Sequence, residues 1–164
     1  MDNEATIMHF HGEHFRGQQY MDGVPFITQC PINPNTAYTY TFKAKTVGTM
    51  FYHSHVSFQR GDGNFGAYIV RLPDEDEPTK DQYDFDLTEH VIFPQEWHQE
   101  STREMWAKLY FSLAQQKPKS ILLNGRGRRF NLPAKDSKSL NNKYSQKCKW
   151  EFSIACNCII VEYV

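Results

Sequence analysis

The chain has 164 residues, enough for one ordinary domain or parts of two. Its 18 Lys and Arg against 19 Asp and Glu leave it near neutral, which removes any electrostatic reason to expect nucleic acid or an anionic membrane as partner. No apolar run reaches the length of a membrane span, and aromatics at 15%, with 12 Phe and 9 Tyr, favour strands over helices.

Glu4 to His11 reads as a strand, with Ala5, Ile7 and His9 on one parity and Thr6, Met8 and Phe10 on the other. Gly12 ends it, and residues 13–24 form a polar, Gly-containing loop. Val24 to Thr28 fits a short strand, stopped by the turn around Pro31 and Pro34. Ala37 to Ala44 is a clean β pattern, with Tyr38, Tyr40 and Phe42 on one face. Thr49 to Val56 is a second aromatic strand, Gly61-Asp62-Gly63 a turn, and Ala67 to Arg71 an apolar strand. Short strands at short spacing mean an all-β sandwich or barrel over residues 1–73.

The acidic, Pro-flanked segment Leu72-Pro73-Asp74-Glu75-Asp76-Glu77-Pro78 marks a linker, placed at 74–82, and residues 83–164 read as a second unit. Alternation from Tyr83 to Phe93 opens it. Ser101 with Glu104 makes a capping box, and Met105, Trp106, Leu109, Tyr110 and Leu113 recur at helical spacing. A helix over about 101–116 follows, its apolar stripe expected to pack in a core. Ile121 to Gly125 is a short strand and turn, 131–147 has little pattern, and Trp150 to Val164 returns to strand character.

The chemistry sits in two His-x-His pairs, His9 with His11 and His53 with His55. Period-two alternation puts each pair on one face of its strand. Two such strands side by side offer four imidazoles to one point, and imidazole suits copper, zinc, iron or nickel. On spacing alone, four histidines without a metal fit equally well. His14, His90 and His98 match no such pattern. Asp22 and Asp62 each sit beside a Gly, where turn chemistry explains them. Four cysteines are present; a bridge from Cys30 is open to Cys148, Cys156 or Cys158, and would imply an oxidising compartment.

The stretches ATIMHFHGEHFRGQQYMDGVPFITQCPI and GTMFYHSHVSFQRGDGNFGAYIVRLPDEDEP strongly resemble the N-terminal part of laccases, the multicopper oxidases, with the insect branch nearest. The likeness runs from about Glu4 to Trp97 and resumes at 121–130. The family motif His-Trp-His-Gly stands here with Phe10 in place of Trp. The resemblance implies cupredoxin-like Greek-key β-sandwiches: an incomplete first domain, then a partial second that contains the short helix. It implies copper, with His9 on the type 2 ion and His11, His53 and His55 on the paired type 3 ions of a trinuclear centre. Asp22 matches an acid beside that centre. Cys30 matches a cysteine that bridges to the second domain, with Cys158 as its candidate partner here. The implied activity is single-electron oxidation of phenols by dioxygen, outside the cell.

Departures from the family pattern are as informative. Four of the family's eight trinuclear histidines are present, and the late motifs of the His-Cys-His kind, which also build the type 1 site, do not occur in these 164 residues. The expectation is a fragment of an oxidase, inactive alone, whose copper site needs a third cupredoxin domain or another chain. A non-catalytic copper-binding or interaction module, or a non-functional truncated product, are the alternatives. The acidic start Met1-Asp2-Asn3-Glu4, without an apolar segment after it, shows no signal peptide within this sequence.

Overall fold

Two aromatic, alternating stretches form the centre of the molecule. The structure is a computed structural model that describes residues 4–112, 118, 120–127 and, by backbone alone, 158–162. In chain order its elements are β1 (Met8–His11), β2 (Gly48–Ser54), β3 (Phe65–Arg71), β4 (Pro94–Trp97), α1 (Thr102–Ser112), β5 (Ser120–Leu123) and β6 (Cys158–Glu162), with single 3-10 turns at Gln19–Met21, Lys80–Gln82 and Thr88–His90. One sheet has the order β1-β2-β3-β6, antiparallel except that β6 adds to β3 in parallel; β4 and β5 form a separate antiparallel pair. The fold is all-β with one short helix, as the strand-rich composition implies.

Register decides what each face carries. Phe10 lies opposite Tyr52, and Met50 opposite Tyr68. With Met8 and Val70 these even-numbered residues cover one face and pack with Phe15, Met21, Tyr40, Phe42 and Ala44 into the core. Tyr68 and Val70 are fully buried there. The odd-numbered residues, His9, His11, Phe51 and His53, fall on the opposite face.

Residues 37–47 keep strand-like alternation but gain no strand partner among the described residues. Tyr40, Phe42 and Ala44 turn inward while Thr39, Thr41 and Lys43 stay exposed. Side chains serve the backbone in place of a ladder. Lys43 N–H donates to Gln18 Oε1 at 3.0 Å, and the N–H groups of Lys45 and Thr46 donate to the Glu13 carboxylate at 3.0 and 3.5 Å. The expected strand Ala37–Ala44 is therefore an extended edge segment. The expected strand at Val24–Thr28 is a turn, closed by the N–H groups of Ile27 and Thr28 on Val24 O. Over 83–93 the alternation yields a 3-10 turn, and the ladder begins only at Pro94.

The capping box forms as expected. Ser101 N–H donates to Glu104 Oε2 at 3.2 Å and Glu104 N–H to Ser101 Oγ at 3.3 Å. Asp62, a turn residue, accepts from Thr102 N–H at 2.7 Å and docks the helix start on the 58–63 turn. The apolar stripe of α1 is not core: no residue of the helix is buried, and Trp106 meets the first unit at Phe58. The end of the expected helix (113–116), the 131–147 stretch, Cys148 and Cys156 lie outside the described residues. Residues 158–162, assigned by sequence to the second unit, extend the sheet of the first at β3.

Two buried polar knots lock the loops around the sheet. Glu13, 7% exposed, accepts from Lys45 N–H, Thr46 N–H, Thr46 Oγ1 and, at 3.0 Å, from the hydroxyl of Tyr68. Burial, reinforced by that carboxylate, holds the Tyr68 phenol well above the ordinary tyrosine range. Gln59 accepts from Thr6 Oγ1 and Ser54 Oγ, and its amide donates to Ala5 O. Deleting an acceptor strands buried donors, which costs more than losing one donor. Tyr68→Phe is expected to cost about 1 kcal/mol in urea unfolding, and Glu13→Ala about 3 kcal/mol.

Candidate metal centre

The antiparallel register sets His9 directly opposite His53, with His11 one pleat along, opposite Phe51. Directly opposed residues bring their Cβ atoms to about 5 Å. The rings meet accordingly: centroids lie 5.3 Å apart for His9 and His53, 5.5 Å for His9 and His11, and 5.5 Å for His11 and His53. One nitrogen from each of the three lies within 4.8 Å of the other two. His55 follows the last residue of β2 and stands outside that set, yet its ring is 5.3 Å from His9 and stacks on His53 at 5.8 Å. The structure thus gathers both His-x-His pairs. His14 and His90 are exposed and join no cluster.

Backbone carbonyls orient the rings. His9 Nδ1–H donates to Asp22 O at 2.6 Å, with the Asp22 carboxylate 3.2 Å from the same nitrogen. His53 Nδ1–H donates to Ser54 O at 2.8 Å. Each bond assigns the proton to Nδ1 and leaves Nε2 as the free donor, which is how outer partners fix metal-binding imidazoles. His53 Nε2 faces His11 Nδ1 at 3.3 Å. With His11 in its Nδ1–H tautomer, that N–H donates to His53 Nε2.

Asp22 reaches His9 because the chain turns sharply at Gly23. Its φ is +72°, and a Cβ there would fall 1.8 Å from Met8 O. Only glycine allows this turn to lie against β1. Gly12, at φ +97°, similarly lets the chain leave β1 across Met50.

Phe51 is a neighbour that the sequence pattern left unremarked. It stacks on His11 at 4.7 Å and on His53 at 5.1 Å. Its place two residues before His53 carries the signal, by the same parity that pairs the histidines. Burial pulls the His53 imidazole below its ordinary value of 6.5; the Ser54 carbonyl works against this, and His9, Arg60 and His11 add to the downward push. A neutral, buried ring with a free lone pair is the form that binds a metal. The donors suit a borderline ion such as copper: imidazole nitrogens from three residues clustered within 4.8 Å, with backbone carbonyls orienting His9 and His53.

Cys30 is exposed and its thiol is free. Cys158 lies opposite Ala67 in the ladder, its side chain outside the described residues.

The chain is similar to known proteins. Residues 1–75 match the sequence model of the family described as multicopper oxidase. An iron transport multicopper oxidase (FET3) of Gibberella zeae is 38% identical over 128 residues, covering 76% of this chain and 20% of the relative. Laccase-1 of Fomitopsis schrenkii is 34% identical over 155 residues, covering 93% of this chain and 27% of the relative. Among solved structures, a mutant laccase of B. aclada superposes with a TM-score of 0.67 at 31% identity, over 99% of this chain and 29% of that one. The chain therefore spans under a third of the length of these relatives. All three are fungal, so the likeness to the insect branch rests on the motifs alone.

Two outcomes are expected. Gly23→Ala should lower stability by at least about 2 kcal/mol in urea unfolding and shift the His9 ring signals as Asp22 is displaced. The folded value of His53 lies below the unfolded one, so its contribution to stability is complete above about pH 6.5 and is lost as pH falls through the folded value. NMR titration should place the His53 midpoint below 6.5, and His53→Gln should flatten that part of the stability profile.

Proposed function

The chain belongs to the multicopper oxidase family over the part it shares with these relatives, and from that premise we propose that it supplies one half of a trinuclear copper site in a laccase-type oxidase. The carrying observation is the cluster of His9, His11 and His53 nitrogens within 4.8 Å, with His55 stacked beside it. His9 would hold the type 2 copper, and His11, His53 and His55 the type 3 pair. Bound copper would supply the electron-transfer chemistry that couples single-electron oxidation of phenols to reduction of dioxygen to water. The remaining ligands would come from a third cupredoxin domain or another chain, and the whole protein would act outside the cell. Among the described residues no helix is long and apolar enough to cross a membrane.

The chain's own residues have definable parts in this. The turn at Gly23 presents the Asp22 carbonyl to His9 Nδ1, which keeps Nε2 available, and the Asp22 carboxylate at 3.2 Å can accept or return a proton at that edge. Ser54 O does the same for His53. Phe51 stacks on the rings of His11 and His53 and holds their orientation. A bridge from Cys30 to Cys158 would tie the first unit to the end of the chain. The exposure of Cys30 is compatible with such a role.

Copper titration of the full chain tests the ligand assignment. His9→Ala and His53→Ala should each weaken binding by at least about tenfold, since even outer partners of a ligand are worth that much. Unchanged affinity in both variants would sink it. The copper-loaded chain should also fail to oxidise a phenolic dye, because its sequence has no His-Cys-His for an electron-entry site. Sustained oxygen-dependent turnover at about 1 per second or faster would overturn that part.

A further inference from the structure

On the histidine face, beside the cluster, lies a solvent-open cleft of about 300 Å³ walled by Phe51, Phe65 and Phe93. The phenyl centroids are 5.3 Å apart for Phe65 and Phe93 and 6.4 Å for Phe51 and Phe93. Arg60, Gln95 and Glu96 complete the lining. Two of these three are donors without a partner. Gln95 Nε2 is buried and makes no hydrogen bond. The Arg60 guanidinium is exposed and has no carboxylate partner among the described residues. The Gln95 nitrogen has no accessible surface, so the polar group that a ligand in the cleft reaches is the Arg60 guanidinium.

We propose that this cleft is a binding site for a small aromatic carboxylate. The ring fits the phenyl walls in edge-to-face or offset contact, the geometry that aromatic pairs favour. The carboxylate accepts from Arg60, a charge-assisted contact stronger than a neutral one. A neutral aromatic would leave the guanidinium without a partner. Glu96 on the rim opposes the anion and sets a limit on affinity; its exposure leaves its charge largely screened. The site is independent of copper and does not use the histidines as ligands. It shares one wall with them, since Phe51 stacks on both His11 and His53. A ligand that shifts the Phe51 ring alters the ring current at both histidines, so the histidine signals report on the cleft.

The test is a titration of the metal-free full chain with sodium benzoate at fixed pH, followed by the ring C–H signals of His11 and His53 and by calorimetry. Saturable shifts are expected. Arg60→Gln, at an exposed position that leaves the core intact, should weaken binding about tenfold, the equivalent of about 1.4 kcal/mol. Glu96→Gln should tighten it about threefold by removing the rim charge. Benzyl alcohol, the neutral analogue, should bind at least about tenfold more weakly than benzoate. Absence of saturable shifts with benzoate overturns the proposal. So does equal affinity in Arg60→Gln, or equal binding of benzyl alcohol, since either result removes anion recognition from the site.

Discussion

The pairing register of β1 with β2 is the constraint on which the rest depends. His9 faces His53, and in the next pair Phe10 faces Tyr52. Side chains alternate with period two, so a slip of one residue would exchange the faces of β1. The histidines would turn into the core, and Phe10 and Met8 would turn out. Core packing and metal-site geometry are thus one choice, enforced from the apolar side. Phe10 alone meets Phe15, Tyr40, Phe42 and Tyr68 within 6.5 Å. Burial of that aromatic group holds the donors in place on the other face without any contribution from a metal.

The loops are tied to the same strands through polar groups. Glu13 follows β1 directly and gathers the backbone of 45–46 with the hydroxyl of β3's Tyr68. Gln59 ties the turn after β2 to Thr6 and Ala5, ahead of β1. Both ends of the histidine-bearing strand are therefore fixed by fully bonded buried groups, the condition under which such groups rigidify a fold. The glycines do the complementary work. Gly23 removes the Cβ that would hold the Asp22 turn away from β1.

The sequence pattern carried the parity of each strand and therefore the pairing of histidines within each motif. It also carried the capping box at Ser101 and Glu104, because that device is local: both bonds close within four residues. What it could not carry was anything dependent on a distant partner. Residues 37–44 have a strand's alternation, but a ladder needs a neighbour, and here Glu13 and Gln18 serve the backbone in its place. The stripe on α1 has a core helix's spacing, yet amphipathicity states only that a face wants cover. Trp106, Tyr110 and Phe111 remain half-exposed or more. Phe51 was hidden for the same reason: its stacking on His11 depends on the register between two strands 40 residues apart in sequence, and short motifs do not encode register.

The histidine cluster is ordered by the protein itself. Three of its imidazoles have the Nδ1 or the ring face committed to protein: His9 to Asp22, His53 to Ser54, His11 to the face of Phe51. Burial suppresses the charged form of His53, and His11 in its Nδ1–H tautomer donates to His53 Nε2 at 3.3 Å. The cluster is therefore closed by hydrogen bonds and stacking within the protein, and Phe51, which stacks on both His11 and His53, is the wall it shares with the neighbouring cleft.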